Sequence, residues 1–518
     1  MLQTSFMKTN LAQQIVQNIQ KINAAQNVET SDVEDFFEQK KLNRRQFLTQ
    51  TAMFGAASTL SSCQFFSEKT QPRIAIIGAG IAGLNTAWVL KQAGITSTIY
   101  EAGYRIGGRI FTQENLLGQG LTTEMGAEFI DTNHSEMWRL IKQFNLETID
   151  IKSQKQLIPE TYFFDKKHYS DKNIVEALKP FASILQSDLE KIKKDKAAFR
   201  KFDYMPLNEY IESLGVTGWL KELLNTAFLS EYGWETERQS ALNMLTVMTS
   251  DHSHNQFSMY GESDERFKVK GGNSLIIKGL EKELKAQIKQ GCTLLQVEKK
   301  NDKSYLLTFL GGKESIVKAD IVVFALPFTK LRSVNLKKAN LTPPKINAIN
   351  NYQLGANGKI LLGFKNSFWQ NQKNGKYLGN VFSDEFACGW DNSLLQNKSN
   401  AGYTVFYGGN QSENIGKLDS NGLKNMFLPA LETVFQGASE NFNSEIHRYH
   451  WQGNSLSLGS YTCFAPGHYT EILPHTQTTI DQLYFAGEHC SDAFQGFMNG
   501  AAQTGRDAAD AILKKIKT

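Results

Sequence analysis

Residues 73–109, RIAIIGAGIAGLNTAWVLKQAGITSTIYEAGYRIGGR, constrain the fold more than any other stretch of the chain. Residues 73–77 are short, apolar and rich in β-branched side chains, the pattern of a strand buried in a parallel sheet. Gly78, Gly80 and Gly83 follow with the spacing G-x-G-x-x-G, and a helical pattern runs on to about Gln92. Residues 97–100 read as a second strand that ends at Glu101. Gly78 permits the tight turn, Gly80 lets the backbone approach a pyrophosphate, and Gly83 lets helix pack on strand. Ala82 stands in the first helical turn, whose free N–H groups and positive dipole end point at phosphate. Glu101, about twenty residues on, accepts from ribose hydroxyls and favours an unphosphorylated 2′-OH. The unit therefore predicts a dinucleotide site of the FAD or NAD kind in a doubly wound α/β fold.

The residues after Glu101 separate the two. Ala102, Gly103, Tyr104, Arg105, Ile106, Gly107, Gly108 and Arg109 complete a motif that resembles the second signature of the flavin-containing amine oxidases, the monoamine, polyamine and L-amino acid oxidases. In that family the paired glycines and the arginine approach the FAD pyrophosphate. The resemblance implies noncovalent FAD and a Rossmann-like, glutathione-reductase-type parallel-sheet domain, interleaved with an α+β substrate domain. It extends over about residues 73–514.

Composition narrows the partners. The chain has 518 residues, 41% hydrophobic and 21% charged, with a net charge of +4, enough for two domains and too nearly neutral to imply a nucleic-acid partner. Cys63, Cys292, Cys388, Cys463 and Cys490 are far apart and suggest neither a zinc site nor a disulfide framework. His252 and His254 make a poor metal pair without further ligands. Asn43-Arg44-Arg45-Gln46-Phe47-Leu48 resembles a twin-arginine export signal, and Leu60-Ser61-Ser62-Cys63 resembles a lipoprotein cleavage box. Residues 1–70 are thus expected to be a leader, and the mature protein exported to the periplasm or lipid-anchored at Cys63. A flexible extension with an adventitious Arg-Arg pair, and hence a cytoplasmic protein, is the alternative.

The domain boundaries follow from the motifs. Residues 71–131, 266–335 and 445–518 are assigned to the FAD domain. Residues 132–265, which turn helical and polar, and 336–444 are assigned to the substrate domain. Further site residues come from the resemblance. The loop carrying Gly126, Ala127, Glu128 and Phe129 matches the element beside the flavin ring. Val297 matches a residue whose backbone meets the adenine. Lys359, in Gly358-Lys359-Ile360-Leu361-Leu362-Gly363-Phe364 followed by Phe368-Trp369, matches the lysine that holds a water at flavin N5. Ser460 takes the place where mammalian monoamine oxidases attach FAD through cysteine, so the flavin is expected to be noncovalent. Tyr461 and Phe497 match the two walls of an aromatic cage, Glu488 an acid bonded to the ribityl–phosphate region. A last helix, read as starting near Gly496, presents Met498 and a stripe of small residues inward.

The resemblance implies oxidation of an amine to an imine, with FAD reduced and then reoxidised by oxygen to give hydrogen peroxide. Phe129 stands where L-amino acid oxidases place a carboxylate-clamping arginine, which favours amines over amino acids. Arg238 and Arg266 stay open as substitutes for that arginine. Asp131 and Glu128 are candidates for the distant ammonium of a diamine, or else backbone-capping groups. The rival readings are an L-amino acid oxidase, a desaturase or porphyrinogen oxidase, and a non-catalytic flavin-bound amine sensor.

Overall fold

A computed structural model describes residues 71–249, 264–396 and 399–517. The export motif, Cys63, His252 and His254 lie outside the described residues. The strand Ile74–Ile77, buried at all four positions, is the middle of a five-stranded sheet. The order is Leu483–Phe485, Ile321–Phe324, Ile74–Ile77, Ser97–Tyr100 and Ile288–Lys289, with every neighbouring pair parallel. Continuous apolar runs are what such strands need, because helices cover both faces.

The helix Ile81–Gln92 is buried over ten consecutive residues, too completely for an ordinary surface helix. Its outer side is covered by the last helix, Met498–Lys517, and the small-residue stripe explains how. A Cβ on Gly505 would stand 2.2 Å from the Ala82 carbonyl oxygen, so only glycine allows this approach. The contact is sealed by polar bonds: Thr86 Oγ1 donates to Gly505 O at 2.9 Å and Asn85 Nδ2 to Ala502 O at 2.7 Å.

Two further sheets complete the frame. A four-stranded sheet, ordered Ile316–Ala319, Tyr305–Leu310, Thr293–Lys299 and Asn335–Lys338, packs its apolar face on the parallel sheet. A seven-stranded sheet runs Phe442–His450, Gly358–Phe364, Ala401–Tyr407, Ala387–Asp391, Val381–Ser383, Thr161–Phe164 and Lys167–Tyr169. Gly358–Phe364 is buried at all seven positions. Strand parity sends Ile360, Leu362 and Phe364 into one core and leaves Lys359 and Leu361 on the opposite face. Helices over residues 171–249 pack against this sheet around Leu185, Leu224 and Phe228.

The helix Ser274–Leu284 stops short of Ile288–Lys289, which pairs with Ile99 and Tyr100 as the edge strand of the parallel sheet. The free edge of Ser97–Tyr100 supplies hydrogen-bond partners that outweigh a weak helical preference. The domain boundary expected at 445 falls inside Phe442–His450, which pairs from Phe364↔Phe442 to Gly358↔His450, so the seven-stranded sheet keeps the chain until His450.

Candidate active site

The phosphate end is built by the glycines at the C-terminal edge of the parallel sheet. Gly78 has φ +105°, and a Cβ there would lie 2.6 Å from Ala325 O. A Cβ on Gly83 would lie 2.1 Å from Gly78 O. Gly80 differs: an added Cβ would meet nothing within 4 Å, because this residue faces a cavity. The second glycine motif rests on the first through Gly107 N, which donates to Ala79 O at 2.8 Å. The Glu101 carboxylate holds the loop, accepting from Ala79 N and Gly103 N at 2.8 Å each.

That cavity, of about 430 Å³, runs from this turn to the seven-stranded sheet. Gly78, Gly80, Ala82, Glu101, Ala102, Gly108, Arg109, Gly126, Ala127, Glu128, Phe129, Lys359, Ser460, Tyr461, Glu488, Phe497 and Met498 all line it. Gly83 does not, being the helix-on-strand contact. Val297 does not either. Val297 is fully buried in the core between the two smaller sheets, while Cys292, Thr293 and Leu294 line the cavity. Val297 lies three residues further along the strand than Leu294, and the extra residue between Leu294 and Gln296 keeps both on the same core-facing side.

Glu488 ties the cavity wall together. One carboxylate oxygen accepts from Arg109 Nη1 at 2.9 Å. The other accepts from Thr462 Oγ1 at 2.7 Å and from Gly496 N at 2.6 Å, just before the last helix. Arg109 Nη1 also donates to Ser460 O at 2.6 Å. That helix begins at Met498, and the expected start near Gly496 is instead the turn that Glu488 caps. The neighbouring His489 is buried against Phe328 and Tyr352, lines the cavity, and has no hydrogen-bond partner at either ring nitrogen. Burial, the largest influence, pushes it down to about 4, so it is a neutral ring.

Lys359 sits on the wall where the sheets meet. Its Nζ donates to Glu128 Oε2 at 2.7 Å and to Glu124 O at 3.0 Å, beneath the Trp390 ring at 5.3 Å. Two cationic side chains hold the buried Glu128 carboxyl below the usual carboxylate range despite its burial. Glu128 therefore faces a lysine, and not the free ammonium of a substrate. Phe129 packs on Trp390, which packs on Phe406, giving an aromatic wall that sequence reasoning missed. Phe497 is backed by His134 at 5.0 Å, and Tyr461 is pinned by its hydroxyl donating to Ser230 O at 3.2 Å.

The substrate end is acidic. Glu160, Asp264 and Glu265 line it beside Cys388 and Phe382, with Lys152 the one cation next to them among the described residues. Loss of hydration, then repulsion from Asp131, Glu231 and Glu160, raises Glu265 well above its ordinary range. Asp131 does not line the cavity. It is buried, accepts from Glu265 N at 2.8 Å and lies 3.3 Å from His134 Nε2, so the capping reading applies. Arg266 is held by Asp150 at 2.7 Å and Arg238 stacks on Trp234, so neither arginine lines the cavity.

A phosphate-binding turn at a parallel-sheet edge, continuous with an aromatic cavity and a buried lysine, defines a flavin-dependent oxidoreductase. FAD fits the residues present, since the space opposite Gly80 and the unpaired His489 both face the cavity. The profile of the flavin-containing amine oxidoreductases matches residues 81–513, and the chain belongs to that family. It is 23% identical over 461 residues to a flavin-containing amine oxidase of Danio rerio, covering 85% of each chain. It is 24% identical over 464 residues to polyamine oxidase 3 of Oryza sativa, covering 86% of this chain and 90% of the relative. Cyclohexylamine oxidase of Brevibacterium oxydans shares the fold, with a TM-score of 0.74 at 18% identity over 86% of this chain and all of that one. So does wild-type putrescine oxidase bound to putrescine, with a TM-score of 0.71 at 17% identity over 86% and 99%. The chain is an FAD-dependent amine oxidase.

Proposed function

We propose that this oxidase acts on a primary amino group of a diamine or polyamine. The observation that carries the reading is the set of carboxylates Glu160, Asp264 and Glu265 at the substrate end of the cavity. No arginine lies among them within the described residues. A carboxylate wall recognises a second ammonium group and repels an amino acid's carboxylate. The similarity to a rice polyamine oxidase and the fold shared with a putrescine oxidase agree with it.

The overall reaction is R–CH2–NH3⁺ + O2 + H2O → R–CHO + NH4⁺ + H2O2. FAD supplies the two-electron oxidation and passes the electrons to oxygen. The chain does the rest. Glu160 and Glu265 hold the distal ammonium. Tyr461 and Phe497 confine the reacting end in a dry slot, where proximity and low dielectric lower the barrier. Lys359, fixed by Glu128, sets a charge at the wall. Ser460 offers no thiol, so FAD is held noncovalently.

Anaerobic mixing with putrescine, spermidine, a monoamine and L-phenylalanine tests the substrate. Bleaching by the first two, with colour and peroxide returning on aeration, is expected. Reduction by L-phenylalanine alone establishes an L-amino acid oxidase, and a flavin that no amine bleaches establishes a binding protein. Residues 43–63 support export by a twin-arginine route with a lipid at Cys63. An intact Met1 on membrane-fraction protein refutes this.

A further inference from the structure

Glu128 receives two lysines from distant parts of the chain. Lys359 Nζ donates to one carboxylate oxygen at 2.7 Å, and Lys268 Nζ to the other at 3.0 Å. All three residues are at most 5% exposed. Lys268 lies on the strand Phe267–Val269, paired opposite Ile149, and also donates to Asn392 O at 3.1 Å. Lys359 and Glu128 line the cavity, whereas Lys268 stands behind them. Two further buried carboxyls act on the trio and offset its charge: Glu124, which also accepts from Thr112 Oγ1 and Asn273 N, acts on Lys359, and Asp391, which also accepts from Ser393, acts on Lys268.

The charge count matters. Lys359 with Glu128 alone makes a neutral pair. Burying two ammonium groups on one carboxylate is costly, and a purely structural contact would do better with one. With Lys268 present the Lys359 ammonium has a fixed place on the wall. Return of electrons to oxygen, FADH⁻ + O2 + H⁺ → FAD + H2O2, develops negative charge on oxygen, and a preorganised cation stabilises it.

We propose that Lys268 is a positioning residue for the oxidase: by clamping one oxygen of Glu128, it fixes the other oxygen, and through it the Lys359 ammonium, at the cavity wall. The inference rests on the FAD-oxidase assignment but not on which amine is the substrate, so its test uses no amine.

Holoenzyme carrying Lys268→Met, Lys359→Met, both, or Lys268→Arg is reduced anaerobically with dithionite and mixed with oxygen. Lys268→Met is expected to slow reoxidation about tenfold, the scale on which loss of an orienting partner acts at metal sites. Because Lys268 acts through Lys359, the double variant is expected to be no slower than Lys359→Met alone, and Lys268→Arg to recover most of the rate. A second readout is spectral. Sulfite bleaches bound flavins that lie near positive charge, and its affinity is expected to fall about tenfold in Lys268→Met, in step with the rate. Wild-type reoxidation and sulfite affinity in an FAD-loaded Lys268→Met protein would overturn the proposal. So would a double variant whose loss is the product of the two single losses. If Lys268→Met does not retain FAD, Lys268→Gln keeps a donor toward Glu128 without the charge and carries the same comparison.

Discussion

Gly80→Ala separates the cost of a side chain to the protein from its cost to the cofactor. Gly80 sits at φ −72° and ψ 174°, extended backbone that alanine adopts freely, and the added Cβ would meet no atom within 4 Å. Replacing glycine in such a conformation restricts the unfolded chain and stabilises the fold by about 0.4–1 kcal/mol. The methyl instead projects into the space where the pyrophosphate lies. Crowding of that kind costs about 1–3 kcal/mol, which corresponds to FAD affinity lowered about 5- to 150-fold. The two effects have opposite signs, so the variant should melt at or above wild type without FAD and below it with FAD. A ligand at about 100 times its Kd stabilises by about 2.7 kcal/mol; a hundredfold weaker Kd reduces that to about 0.4 kcal/mol.

The assay is reconstitution of stripped protein with FAD, followed by flavin fluorescence, alongside thermal melts with and without FAD. Gly83→Ala is the control. Its Cβ would stand 2.1 Å from Gly78 O and 3.1 Å from Ile76 Cγ2, so it should lower the melting temperature in both conditions. A Gly80→Ala protein that binds FAD with wild-type affinity would refute the assignment of the pyrophosphate to this turn. An FAD-free melting temperature lowered as far as that of Gly83→Ala would refute the claim that the position is open.

Glu488→Gln should destabilise the protein by about 3 kcal/mol, since it removes the charge that Arg109, Thr462 and Gly496 share; an unchanged denaturation midpoint would count against this hub. Lys359→Met should fold and keep FAD because Glu128 retains Lys268, whereas Glu128→Leu leaves two buried ammonium groups facing each other; melting temperatures should run wild type, Lys359→Met, Glu128→Leu in descending order. Glu265, raised well above 4.5, keeps its proton in the folded state at pH values where the unfolded chain has lost it. Its contribution to stability is therefore greatest at low pH and declines as pH rises from 4.5 through the folded value, and Glu265→Gln should flatten that decline in a melting series. The same ionisation strengthens diamine binding, so KM for putrescine should fall over this window in wild type and not in Glu265→Gln.

Four strands of the parallel sheet were legible because each is short, largely apolar and bounded by glycine or acid; Ile288–Lys289, with one apolar residue, was not. The cavity lining was legible where small residues have a steric duty, as at Gly78, Gly80 and Gly126. What was hidden depends on tertiary placement. Lys268 and Lys270 stand in one tetrapeptide, Lys268-Val269-Lys270-Gly271. The first is buried on Glu128, while the second pairs at the surface with Glu147. Nothing in composition distinguishes them, and strand alternation would put both on one face; Lys268 lies inside the strand Phe267–Val269, whereas Lys270 falls in the turn just past it. Asp131 and Glu128 looked alike as acids in a loop, and only the tertiary neighbours His134 and Lys359 assign one to capping and the other to the wall.

Charge along the cavity selects for two molecules at once. Arg105, Arg109 and Lys330 line it together with the glycine turn, where a doubly anionic pyrophosphate is bound. Glu160, Asp264 and Glu265 line it together with Phe382 and Cys388, where a cationic amine would be held. Each end attracts its own ligand and repels the other's, so orientation follows from electrostatics before any close contact forms. Between them the Lys359 ammonium, held by Glu128, lines the cavity and opposes a second cation. A second ammonium is therefore held at the acidic end, away from Lys359, which leaves the reacting nitrogen under pressure to be neutral. A neutral nitrogen is the form with a lone pair to drive oxidation of the adjacent carbon, so the same charges that sort the ligands also favour the reactive protonation state.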